Sequence, residues 1–208
     1  MSYETDEEKV EAIKAWWKDN GLSVIVGAVI GLATIWGWRL WIEHQERTAG
    51  EASAAFEQLM LNAADKQIES VTKQTQTIRD NFGSTPYSAL SDLVAAKALH
   101  EAGQTAEAMT ALRNAIDTAP DPAIARLAAL RLARLQFADN QLDAASKTID
   151  KYDVSPAFAG EFAAVRGDIA AARGDLDAAR AAYQRAIESG SSLSQLIRLK
   201  LDNLPAAD

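Results

Sequence analysis

The residues that could do chemistry are few. There are two histidines, His44 and His100, and no cysteine, so thiolate catalysis, disulfides and cysteine-type zinc sites are excluded. His44 stands beside Glu43 and Glu46, and the two histidines share no metal-ligand spacing. Ser70 and Lys73 fit S-x-x-K, in which a serine acylates with lysine help, but the companion motifs are missing and no β-sheet signal surrounds them. Asp175 and Asp177 form a carboxylate pair of the kind that could share acid–base work. Their place in a turn before an apolar-periodic run suits them better to starting a helix. No glycine-rich phosphate loop is present. These residues predict no catalytic site, no metal site and no cofactor, hence a protein that is not an enzyme.

The elements that carry these side chains divide the chain sharply. "NGLSVIVGAVIGLATIWGWRLW" has no charged side chain from Leu22 to Trp38. Residues 22–42 would span about 31 Å as a helix, which matches the hydrocarbon thickness of a bilayer. All five tryptophans flank this run: Trp16 and Trp17 before it, Trp36, Trp38 and Trp41 at its end. Indoles at both mouths are the signature of the two membrane interfaces. The preceding leader is long and acidic (Glu4, Asp6, Glu7, Glu8, Glu11), and "RLWIEHQER" after the run offers no small-residue cleavage site. A retained anchor is therefore expected rather than a signal peptide. Lys9, Lys14 and Lys18 against Arg39 and Arg47 favour a cytoplasmic N-terminus. The sequence thus predicts three parts: 1–21, a cytoplasmic acidic amphipathic segment; 22–42, the transmembrane anchor; and 43–208, a domain in the periplasm of a bacterial inner-membrane protein. Gly27 and Gly31 make a GxxxG pair that could admit another membrane helix, although glycine is frequent enough in such helices that chance is the plainer account.

Beyond residue 43 helix formers dominate and no period-2 pattern appears. The fold class is all-α. Three stretches repeat one shape: 100–120, 137–156 and 171–190. Aligned on a small residue, they place Ala108, Leu112 and Ala115 against Ala145, Ile149 and Tyr152, and against Ala179, Tyr183 and Ala186, at spacings of 37 and 34 residues. Twelve residues earlier stand Ala96, Ala133 and Gly167, and the turns fall at Gly103, Asn140 and Gly174. Small residues where paired helices cross, with left-handed residues at the turns, resemble the tetratricopeptide repeat, and imply a helical-hairpin solenoid. Residues 49–86 read as a fourth, divergent hairpin turning at 65–67, its first helix running on from the anchor. "SLSQLIRLKLDNL" reads as a closing amphipathic helix with Leu193, Leu196, Ile197, Leu201 and Leu204 on its apolar face.

A stack of such hairpins offers the first helix of each pair to a partner. That face carries Lys97, His100, Arg134, Phe137 and Asp168. Two readings stand side by side: a groove for an extended polypeptide, or ordinary solvated side chains. A net charge of −8 with no basic stripe speaks against nucleic acid.

The acidic leader passing through "DNG", the anchor ending "GWRLWIEHQ", "RLARLQ" at 131–136 and "KLDNL" at 200–204 resemble the YfgM family of ancillary subunits of the bacterial SecYEG translocon. The resemblance covers nearly the whole chain. It implies a type II inner-membrane protein whose periplasmic repeats associate with SecYEG and with the chaperone PpiD, and help hand translocated proteins to periplasmic chaperones. It also implies a link between the N-terminal segment and a cytosolic response regulator, and it carries over no catalytic residue. A rival expectation is a repeat scaffold for another envelope assembly, in cell-wall synthesis or division.

Overall fold

A computed structural model describes residues 6–205; the ends of the expected cytoplasmic and periplasmic parts, including Glu4, lie outside the described residues. Nine helices and no strand occur among the described residues. They fall into two compact units, 1–48 and 49–208.

The first unit is part of a single long helix, α1 (Asp6–Ala64). The expected boundaries at 21/22 and 42/43 are both positions within this helix, and nothing interrupts its hydrogen bonding there. Its apolar side chains face outward: from Leu22 to Glu46 every residue is exposed, with Leu22 at 78% and Trp36 at 72%. Water would not tolerate such a surface, whereas a bilayer demands it, because a helix satisfies its backbone internally and leaves the side chains to meet lipid. Among the described residues α1 is the one helix long and apolar enough to cross a membrane.

The second unit begins with the C-terminal part of α1. It continues through α2 (Ile68–Phe82), α3 (Pro86–Glu101), α4 (Thr105–Thr118), α5 (Pro122–Ala138), α6 (Leu142–Tyr152), α7 (Ala159–Ala172), α8 (Leu176–Glu188) and α9 (Ser194–Asp202). Pro86 and Pro122 occupy the first helical positions of α3 and α5, where a missing N–H costs nothing. The expected turn at 65–67 separates α1 from α2.

The repeated turns close in one way. After α3, the N–H of Gly103 donates to the His100 carbonyl at 2.9 Å and that of Gln104 to Leu99 at 2.8 Å. After α5, Asn140 donates to Phe137 and Gln141 to Gln136; after α7, Gly174 donates to Ala171 and Asp175 to Ala170. The residue at this place needs a positive φ, and Gly103, Asn140 and Gly174 have φ of 80°, 58° and 79°.

The aligned small residues lie where the helices cross. Ala108, Ala115, Ala133, Ala145, Ala179 and Ala186 are all buried without exposure, and Ala96 nearly so. Gly167 is the extreme case. A Cβ there would lie 2.5 Å from the Tyr183 ring, so only glycine lets α7 and α8 approach this closely. Around these crossings the core runs in three clusters, joining α1 through α5, then α5 through α7, then α7 through α9. One expectation needs correction. In α9 only Ile197 and Leu201, joined by Leu204 just after the helix, turn toward the core, while Leu196 is exposed and Leu193, which precedes the helix, is 41% exposed. A nine-residue helix at the end of the stack, resting on α7 and α8, buries only a narrow stripe of its surface.

Candidate functional site

The first helices of the hairpins present one continuous face. On α3, Leu93, Ala96, Lys97 and His100 recur at helical spacing, and on α5 so do Leu127, Arg131 and Arg134. A pocket of about 310 Å³ lies between them, walled by Leu93, Ala96, Leu112 and Leu135 and edged by Lys97, His100, Arg131 and Arg134. It adjoins a second pocket, of about 550 Å³, in which Phe56 and Met60 of α1 complete the wall. Leu93, Lys97 and Arg131 line both, so the two form one groove.

Three of the five residues expected on this face, Lys97, His100 and Arg134, share the first pocket. Phe137 and Asp168 lie instead in a separate pocket of about 630 Å³ with Leu196 and Leu199 of α9. Asp168 is engaged by the chain itself. The Tyr183 hydroxyl donates to it at 2.7 Å and the Lys200 ammonium donates to both oxygens at 2.6 and 2.8 Å. Burial, reinforced by this carboxylate, pushes the Tyr183 phenol well above its ordinary range, so it stays a donor. The trio ties α7, α8 and α9 together.

The charges of the groove differ from one another in their commitments. Lys97 pairs loosely with Glu101 at 3.7 Å. Arg131 and Arg134 are exposed and make no ion pair among the described residues. Arg134 also acts on Glu161. Burial raises that carboxyl, but hydrogen bonds from the Ser192 backbone and hydroxyl, with the Arg134 charge, hold it below its usual value. Gly27 and Gly31 lie in the first unit, and among the described residues nothing beyond their chain neighbours and the adjoining backbone of their own helix lies within 4 Å of a Cβ placed on either.

The residues considered for chemistry are dispersed. His44 and His100 are exposed in different units. The Ser70 hydroxyl donates to the Gln67 side chain at 3.4 Å, not to Lys73. Asp175 accepts from the Ala178 N–H at 3.0 Å and caps α8, while Asp177 pairs with Arg180 at 3.3 Å. No group of three His, Cys, Asp or Glu able to hold a metal occurs among the described residues.

Sequence reasoning missed Arg131, Phe56 and Met60 as groove residues, and a buried ion pair elsewhere. Asp92 of α3 is fully buried against Arg79 of α2, whose side chain is 28% exposed. Burial pushes the Asp92 carboxyl up, while the hydrogen bond and charge of Arg79 pull it back. The available signal was a lone acid inside the apolar run "ALSDLVAAKAL".

The hairpin array with its recurring turns defines the class: an all-helical, tetratricopeptide-like solenoid preceded by one long apolar helix. A family model described as a tetratricopeptide repeat-like domain matches residues 14–206. An ancillary SecYEG translocon subunit of Haemophilus influenzae is 32% identical over 206 residues, covering 98% of this chain and all of that protein. Proteins of the same name from Escherichia coli (29% over 204 residues, 97% of this chain and 98% of the relative) and Aggregatibacter actinomycetemcomitans (35% over 206 residues, 98% and 100%) align as fully. The chain belongs to the family of ancillary SecYEG translocon subunits.

Proposed function

We propose that this chain is a non-enzymatic, membrane-tethered adaptor of the SecYEG translocon. In this reading residues 22–42 lie in the bilayer, 1–21 in the cytoplasm and 43–208 in the periplasm. The end-to-end likeness to ancillary SecYEG translocon subunits carries the proposal, because it includes the outward-facing apolar helix as well as the repeats. The lysines of the leader support the orientation through the positive-inside bias. Confinement to the membrane plane raises the effective concentration of neighbouring inner-membrane proteins, so weak contacts by the repeats suffice. The periplasmic repeats would then link emerging polypeptides to chaperones, with PpiD the partner the family resemblance implies, and the cytoplasmic leader would be the part available to a response regulator.

A tagged full-length chain, purified from membranes in a mild detergent, should bring down the SecYEG complex and a periplasmic chaperone. Recovery of the intact chain without SecYEG would end this reading. A C-terminal reporter active only in the periplasm tests the orientation, and cytoplasmic activity would reverse it.

A further inference from the structure

We propose that the groove between α1, α3 and α5 binds an extended polypeptide segment in which apolar and acidic side chains alternate. This rests on the reading of the repeats as an adaptor and specifies what they take.

The charge of the groove runs against that of the protein. The chain carries a net −8, yet Lys97, His100, Arg131 and Arg134 edge the first pocket with no acid among its lining residues. Glu101 reaches only the adjoining one, which Lys66 and Arg131 also line, and is already paired with Lys97. Several acids elsewhere in the domain are held by internal partners: Asp150 and Asp153 by Arg166, Asp143 by Arg173, Asp168 by Lys200. Arg131 and Arg134 make no ion pair among the described residues, although the Arg134 charge reaches Glu161. A guanidinium fork on an apolar wall recognises a carboxylate, with the strength of a charge-assisted hydrogen bond.

The floor is apolar and open. Met60 is 47% exposed although it stands among Phe56, Leu93 and Val94. A cationic rim on both sides of an apolar floor matches a chain whose side chains alternate at a period of two, apolar groups down and carboxylates toward the rim. Lys97 and His100, like Arg131 and Arg134, stand three residues apart on their helices, about 4.5 Å along each axis. That is short enough for one or two carboxylates of an extended segment to meet them. Lys97, Arg131 and Arg134 over apolar side chains suit a peptide better than an anionic bilayer, which would leave the floor uncovered.

The test uses the full-length chain in phosphatidylcholine nanodiscs and the fluorescence anisotropy of labelled dodecapeptides. The peptide alternating leucine and aspartate should bind, with affinity falling as salt rises. Peptides alternating leucine with lysine, or serine with aspartate, should bind at least about tenfold more weakly. Arg131→Gln with Arg134→Gln should weaken the leucine–aspartate peptide by about tenfold or more, as should Met60→Ser. Arg131→Lys with Arg134→Lys should restore only part of the binding, because an ammonium keeps the charge and loses the fork. Lys147→Gln with Lys151→Gln on α6 should change nothing. The proposal is overturned if the lysine peptide binds equally, if no peptide binds, if the arginine pair can be removed without effect, or if phosphatidylglycerol vesicles displace the peptide. Both arginines are exposed, so their variants should keep the wild-type circular dichroism and melting. A chain that brings down SecYEG but fails here refutes the groove alone.

Discussion

Two glycines of the apolar helix and one of the repeats have opposite surroundings. Among the described residues, Gly27 and Gly31 have nothing beyond their chain neighbours and their own helix backbone within 4 Å of where a Cβ would stand, whereas the same atom on Gly167 would strike the Tyr183 ring at 2.5 Å. Large apolar side chains divide the same way. Leu22, Ile30 and Trp36 point out of α1, while Phe162, Leu112 and Ile149 are sealed inside the repeats. One physical rule, removal of apolar surface from water, gives both patterns. Where a helix meets lipid, bulk faces outward and a residue such as Gly27 is spare room. In the repeats the solvent is water, so bulk faces inward and small residues set how closely helices meet.

The largest expected effect breaks the first half of that contrast. Ile30→Arg with Ile35→Arg places two charges near the middle of the span, at about 5–7 kcal/mol against insertion. The wild-type chain should remain in the pellet when membranes are washed with alkaline carbonate, and the variant should be released. Melting of the repeats should be unaltered. Release of the wild type would show that α1 is not a membrane span and that its exposed face has another partner.

A somewhat smaller effect probes the charge buried in the watery half. Arg79→Ala leaves Asp92 fully buried and unpaired, and should cost about 3 kcal/mol or more. Replacing both, as Arg79→Met with Asp92→Leu, should be near neutral. Because burial raises the Asp92 carboxyl, the folded protein holds this proton more tightly than the unfolded chain. Asp92 therefore favours folding most below its unfolded pKa, and the contribution is lost as pH rises through the raised folded value. Without Arg79 to oppose the shift, that window should extend to higher pH. Urea unfolding across an acidic pH series should show the Arg79→Ala deficit shrinking as pH falls; a constant deficit would place the lost stability in packing rather than charge.

The Gly contrast itself sets the next prediction. Gly167→Ala should destabilise the repeats by about 1–3 kcal/mol, since a rigid ring must move to admit the methyl group. Gly27→Ala should leave the same melting transition untouched. Equal effects would mean that the two units unfold as one and that their environments are not distinct.

The residues behind these predictions were unequally legible. The span and its tryptophans declare themselves because lipid imposes length and composition on consecutive residues. The turns at Gly103 and Gly174 were legible because local backbone conformation restricts residue type. Gly167 and the crossing alanines followed from repetition. Arg131 and Met60 were not readable as groove residues, because which side of α5 or α1 faces the groove depends on how three helices pack. Asp92 was hidden for a related reason: its counter-ion sits on another helix. Leu196 misled because an amphipathic pattern reports a preference for burial, and α9, at the end of the stack, is covered on one side only.

The smallest effect sharpens the likeness among the repeats. Asn140 holds the place of Gly103 and Gly174 with φ of 58°, a conformation asparagine tolerates and glycine adopts without steric cost. Asn140→Gly removes that strain but also loosens the unfolded chain, so the two contributions nearly cancel and stability should change by less than about 1 kcal/mol. Gly103→Ala lacks this compensation. Its methyl group meets the strain of a positive φ directly, and stability should fall by about 1–2 kcal/mol. Chemical unfolding of the two variants beside the wild type separates the cases. If Asn140→Gly proved as damaging as Gly103→Ala, the asparagine would be there for its side chain, and the middle turn would differ in kind from the other two.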